Sequence, residues 1–115
     1  MSSPMGLTPQ QEQELKRLQA LYQQAQAIKT QIAQLEAEIA EMKNALKETE
    51  KLPEDTPIYK SVGSLLFRVN LKETVEKLKE DIELREVRLK SLKDKDETLT
   101  KQIEELQAKL TKQLG

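Results

Sequence analysis

Two long runs of apolar residues, spaced alternately three and four positions apart, dominate this sequence. The first run covers residues 18–46 without a slip, and the second covers residues 75–110 with Arg85 and Asp96 as its only charged interruptions. Heptads sustained over four or more repeats are typical of coiled coils. The pattern therefore predicts two long helices, each of which buries one narrow apolar seam against a partner.

Capping residues mark where these helices begin. Thr8 stands before Pro9 and three residues ahead of Gln11, which is a capping-box arrangement, and Asn70 stands three residues ahead of Glu73. The boundaries that follow are a flexible leader over residues 1–7 and a single domain over 8–115, with helix 1 over 8–51, a linker over 52–70 and helix 2 over 71–114.

The two runs are matched in length and joined by a short linker, so we expect an antiparallel helix pair. A register in which paired residue numbers sum to 124 sets every a position beside a d position. Arg85 and Asp96 then face apolar residues, and we expect both side chains to reach out of the open seam to water. The alternatives are a deliberately weak seam at these two layers, or a parallel homodimer with continuous helices, which the linker prolines disfavour.

The linker carries a β-hairpin pattern. Pro53 and Pro57 prevent the helix from continuing, and residues 58–62 and 65–69 are rich in β-branched and aromatic side chains. The intervening Gly63-Ser64 fits a two-residue type II′ turn. The predicted fold is therefore mainly α: an antiparallel two-helix coiled-coil hairpin with one β-hairpin at the bend.

This hairpin would have one almost wholly apolar face, two open edges and no globular core beneath it. An isolated two-stranded hairpin is marginal in water, so we expect the strands to pair with those of other subunits. The alternative is a loose tip that folds against its own helices. The predicted oligomer interface consists of Ile58, Tyr59, Val62, Leu65, Leu66, Phe67 and Val69.

Composition narrows the class of function. The chain has no Cys and no His, which removes thiol chemistry, most zinc sites and imidazole catalysis, and its three Gly residues form no phosphate-binding loop. We therefore expect no enzyme activity, no metal and no cofactor. A net charge of -1 argues against nucleic-acid binding, and no apolar run approaches the roughly 18 residues that cross a bilayer. The absence of Cys suits a cytoplasmic protein.

The bend sequence, residues 52–66, resembles the bend of prefoldin beta-type subunits. Its most specific parts are Tyr59-Lys60, the following Val62-Gly63 and the Leu65-Leu66 pair. The likeness extends over nearly the whole chain, as a helix, a single hairpin and a second helix. Residues 84–89 and 103–110 are more similar to archaeal beta subunits than to their eukaryotic relatives.

The resemblance implies a chaperone subunit. Two alpha-type and four beta-type subunits would join their hairpins into an intersubunit β-barrel, from which six coiled-coil arms extend. Such an assembly captures unfolded client polypeptides without ATP and passes them to a group II chaperonin in the cytoplasm. The alternative is a structural coiled-coil scaffold or tether without client-binding activity.

The helix ends opposite the bend are the predicted client-binding tips. Leu7, Leu15 and Leu114 have no partner in the predicted register, and Leu110 meets Glu14, so we expect the tips to fray and expose apolar side chains. Residues 9–33 also carry few charges, which suits contact with many different clients. The predicted client-binding residues are Leu7, Leu15, Leu18, Leu21, Tyr22, Leu106, Leu110 and Leu114.

Overall fold

The structure is a computed structural model that describes residues 6–114. Its elements follow in the order α1 (Pro9–Glu50), β1 (Ile58–Val62), β2 (Leu65–Val69) and α2 (Leu71–Leu114). The helix boundaries predicted from the sequence agree with these to within one residue. Residues 1–5 of the predicted leader, and the last residue of the predicted domain, lie outside the described residues.

Both helices begin at the predicted caps. Thr8 Oγ1 accepts a hydrogen bond of 3.1 Å from the backbone N–H of Gln11, and Gln11 Oε1 accepts one of 3.0 Å from the N–H of Thr8. Asn70 Oδ1 accepts one of 2.9 Å from the N–H of Glu73. Helix α1 ends just before Leu52-Pro53, since a residue that precedes proline disfavours helical backbone angles.

The described residues form two compact units. The terminal unit comprises residues 6–33 and 90–114, and the hairpin unit comprises residues 34–89. Six residues pack together in the core of the terminal unit. They form three successive layers, and the two residue numbers in each layer sum to 124, as in the predicted register. This cluster confirms that register for the terminal unit; its members are Leu18, Leu21, Ala25, Leu99, Ile103 and Leu106.

In the hairpin unit, ion pairs join the two antiparallel helices beside the seam. Lys43 Nζ lies 2.7 Å from Glu86 Oε1, and Lys79 Nζ lies 3.4 Å from Glu50 Oε1. Moving seven residues forward on α1 moves the partner seven residues back on α2, as an antiparallel pair requires. The buried apolar residues of this unit are Leu35, Ile39 and Ile82.

The two charged residues of the α2 seam turn towards partners on α1. Arg85 Nε donates a 2.7 Å hydrogen bond to Glu38 Oε1, and Lys29 Nζ donates one of 2.8 Å to Asp96 Oδ1. Each charge therefore leaves its apolar layer, as expected, but ends on an opposite charge rather than in water alone. Such half-exposed pairs contribute little to stability, about 0–1 kcal/mol each.

The strands pair in the predicted register, from Val62 opposite Leu65 at the turn to Ile58 opposite Val69 at the helices. Gly63 has φ +59°, whereas no described non-glycine residue has a positive φ. Positive φ at the first central position alone is the mark of a type II′ turn, which confirms the turn predicted from the sequence.

Candidate functional site

The exposed face of the hairpin is the first candidate site. Side chains alternate between the two faces of a strand, so Val62, Leu65 and Phe67 lie on one face, and each is at least half exposed. Ile58 and Val69, at the helix end of the same face, are half-buried. The structure thus brings together five of the predicted interface residues on one face, on which Lys60, opposite Phe67, is the only polar residue.

The other face of the hairpin carries the two remaining predicted interface residues, Tyr59 and Leu66, and both are exposed. Among the described residues, β1 and β2 pair only with each other, which leaves the outer edge of each strand open. Open edges beside exposed apolar side chains are a template for strand pairing with another chain. The alternative of a tip folded against its own helices does not fit this exposure.

The second candidate site, at the predicted tips, differs from the sequence-based expectation. Leu7 is buried and Leu110 is only 3% exposed, so the expected exposure of both residues is wrong. Helix α2 stays regular through Leu114, and Leu7, which precedes the heptads and so had no place in the register, turns inward. Leu21 is also buried, Leu15, Leu18 and Leu106 are half-buried, and the exposed members of the predicted set are Tyr22 and Leu114.

The end of the terminal unit at which Leu7 and Leu110 are buried also contains a largely buried carboxylate. Glu14 occupies the seam position that faces Leu110 in the register, and its side chain is only 13% exposed. Its Oε1 lies 2.7 Å from Lys109 Nζ and accepts a long hydrogen bond from Gln10, whereas its buried Oε2 has no hydrogen-bond partner among the described residues. A buried polar atom without a partner is destabilising, so this layer closes at a cost.

Sequence reasoning missed two exposed apolar residues on α2. Leu84 and Val87 are 68% and 70% exposed, and neither lies on the seam. Their c and f positions in the heptad already placed them on the outer side of the helix. Within residues 6–114 no cluster of metal-ligating side chains occurs, and none of the described helices is apolar enough over a sufficient length to span a membrane.

These features define a class of protein. In the hairpin unit, antiparallel helices flank an uncovered apolar hairpin, and such a unit is typical of coiled-coil proteins whose open strand edges can pair with other chains. The comparisons with known proteins are more specific. The family model described as "Prefoldin subunit" matches residues 12–115.

Curated relatives and a solved structure agree with that match. The prefoldin subunit beta of Methanococcoides burtonii is 38% identical over 95% of this chain and 93% of its own length. That of Archaeoglobus fulgidus is 40% identical over 92% of each. The crystal structure of the prefoldin beta subunit from Thermococcus strain KS-1 superposes with a TM-score of 0.85 at 35% identity, covering 99% of this chain and 97% of that one. This chain belongs to the prefoldin family, in its beta-type branch.

Proposed function

We propose that the chain is one limb of an ATP-independent holdase chaperone in the cytoplasm. In this proposal it assembles with alpha-type subunits through its hairpin, two alpha with four beta, and holds unfolded polypeptides for transfer to a group II chaperonin. The observation that carries the proposal is the uncovered apolar hairpin face, in a chain that belongs to the prefoldin family. That face gives the family's assembly a physical driving force in this sequence.

The driving force can be estimated from Phe67. An aromatic side chain presents about 200 Å² of surface, and half of that of Phe67 is exposed, so about 100 Å² is available for burial. At about 25 cal/mol per Å², covering it contributes about 2.5 kcal/mol per subunit. Val62 and Leu65 on the same face add to this value. Burial of these side chains therefore favours assembly, and it offsets part of the roughly 4–15 kcal/mol that association costs in lost translational and rotational freedom.

A mixing experiment tests assembly and activity together. The chain and an alpha-type prefoldin subunit are combined, and the mass is measured by light scattering and native mass spectrometry. We expect a species of two alpha-type subunits and four copies of this chain, which suppresses aggregation of a denatured client without nucleotide. A mixture that stays at the mass of monomers or dimers contradicts the proposed assembly.

Matched leucine variants locate the interface. Leu65 on the hairpin and Leu84 on α2 are both strongly exposed, at 60% and 68%. Leu65→Ser should weaken assembly by about tenfold or more per contact, since it removes apolar surface that the interface buries. Leu84→Ser removes the same type of side chain outside the hairpin and should leave the mass unchanged. Equal effects of the two changes would argue against a hairpin interface.

Burial of the tip leucines favours a second candidate, a structural scaffold that assembles without holding clients. The two candidates differ in one result. A scaffold forms the mixed hexamer, yet leaves aggregation of the denatured client unchanged at every ratio of hexamer to client. A holdase suppresses aggregation in proportion to the hexamer added.

A further inference from the structure

The terminal unit contains an apolar hollow of about 570 Å³ away from the predicted tip residues. Its apolar surface comes from Ala27 and Ile28 on α1 and from Leu99 on α2. Its rim is polar and carries Gln24, Ser91, Asp94, Lys95 and Thr98. None of the eight predicted client-binding residues lines it.

The hollow is explained by the charged residue in the adjacent seam layer. Asp96 faces Ile28 in the register, but its carboxylate reaches sideways to Lys29, 2.8 Å away, and neither charged residue lines the hollow. A short acidic side chain that turns to one flank fills no space on the other flank. Ile28 and Leu99 therefore stay half-buried where a leucine at position 96 would cover them.

We infer that this hollow binds a large apolar side chain of an unfolded polypeptide. This inference rests on the proposed holdase function and assigns it a site. The volume lies within the range of pockets that hold drug-sized ligands, about 300–1,000 Å³, and so leaves room for a large apolar side chain. Alongside the exposed Tyr22 and Leu114, the hollow adds accessible apolar surface to the unit, since Ala27 is exposed and Ile28 and Leu99 are half-buried.

The chemistry of the rim favours a polypeptide as occupant. Extended chains carry unpaired backbone N–H and C=O groups on both sides of each apolar side chain. Gln24 offers both donors and acceptors, and Ser91 and Thr98 offer hydroxyl groups. Asp94 and Lys95 bring opposite charges, so the rim selects neither acidic nor basic sequences. A site of this kind binds by apolar content rather than by sequence.

Two lysine substitutions test the site with matched chemistry. Ala27 lines the hollow, whereas Ala20 occupies the same heptad position one repeat earlier and does not line it. Both are exposed, and lysine is a good helix former, so both variants should fold. In the hexamer with the alpha-type subunit, affinity is measured by fluorescence anisotropy for a labelled peptide that alternates leucine and serine.

Ala27→Lys should weaken peptide binding by about tenfold, the loss expected when one large apolar side chain is no longer buried. Ala20→Lys should change it less than about twofold, since surface changes away from a site have small effects. Because the chain has no cysteine, Ala27→Cys and Ala20→Cys each give a single reactive thiol. The peptide should slow alkylation of the thiol at position 27 only.

Three results would overturn the inference. If wild type binds the peptide and Ala27→Lys binds it equally well, the hollow is not the site. If Ala27→Lys changes the mass of the hexamer, the hollow is a contact between subunits instead. If the thiol at position 27 reacts at the same rate with and without bound peptide, the peptide lies elsewhere. Failure of the wild-type hexamer to bind peptide or suppress aggregation would instead refute the holdase function itself.

Discussion

Replacing Glu14 by leucine should stabilise the end of the terminal unit. The glutamate occupies a seam position, and only 13% of its side chain is exposed. Its Oε2 has no hydrogen-bond partner in the described part of the chain. A leucine in its place removes this oxygen and sets an apolar side chain in the layer of Leu110. The same change removes the ion pair with Lys109.

The sizes of these effects determine whether Glu14→Leu raises or lowers the free energy of unfolding. An unsatisfied buried polar group costs about 1–3 kcal/mol, and leucine adds about 1 kcal/mol through additional apolar burial. The lost ion pair subtracts at most about 1 kcal/mol, because the ammonium group of Lys109 is half exposed. The net change for Glu14→Leu is a stabilisation of about 2 kcal/mol. Local opening of this end should become about 30-fold rarer.

Amide hydrogen exchange of the first α1 turns measures that opening. We expect about 30-fold slower exchange in Glu14→Leu than in wild type. Lys109→Met is the matched control, since it removes the same ion pair and leaves the carboxylate buried without a countercharge, and its exchange should be faster. Exchange that is unchanged or faster in Glu14→Leu would refute the reasoning, because the orphaned oxygen would then cost nothing.

Three further changes have defined outcomes. Gly63→Ala should destabilise the hairpin by about 1 kcal/mol and raise the subunit concentration at which half of the chains are assembled. Open space surrounds Gly63, so the cost comes from its φ of +59° alone. Asn70→Ala should lower the melting temperature by about 4–8 °C, the loss of a cap worth about 1 kcal/mol. Asp96→Leu should raise the melting temperature by a similar amount, because leucine covers Ile28 and the lost Lys29 pair is weak; an unchanged melting temperature would mean that the layer was already filled.

The sequence was sufficient for the fold because its signals are local and repeated. Heptad spacing determines which side of each helix is buried, and the hydrogen bonds of Thr8 and Asn70 locate the helix starts. Gly63 between two β-branched runs determined the turn and with it the register of the whole hairpin. Each of these features depends on residues within a few positions of one another.

Some contacts were not predictable from local spacing. Four-residue spacing within α2 favours an ion pair of Glu86 with Lys90. Glu86 pairs instead with Lys43 on α1, at 2.7 Å. A helix pair sets long side chains of the two flanks close together, so cross-helix partners compete with those four residues away. The burial of Leu7 was missed for a related reason, since it precedes the helix whose register was used.

In the seam of the terminal unit, two acidic residues whose side chains differ in length by one methylene group have opposite effects on the surface. Glu14 and Asp96 both occupy seam positions, and each is paired with a lysine on the facing helix. The longer glutamate keeps its carboxylate within the layer, so the facing Leu110 stays buried and one oxygen goes unsatisfied. The shorter aspartate turns fully to Lys29, and the space that it does not fill becomes the hollow. In a coiled coil this narrow, a single polar seam residue therefore decides whether a layer closes at an energetic cost or stays open as an apolar surface that another chain can cover.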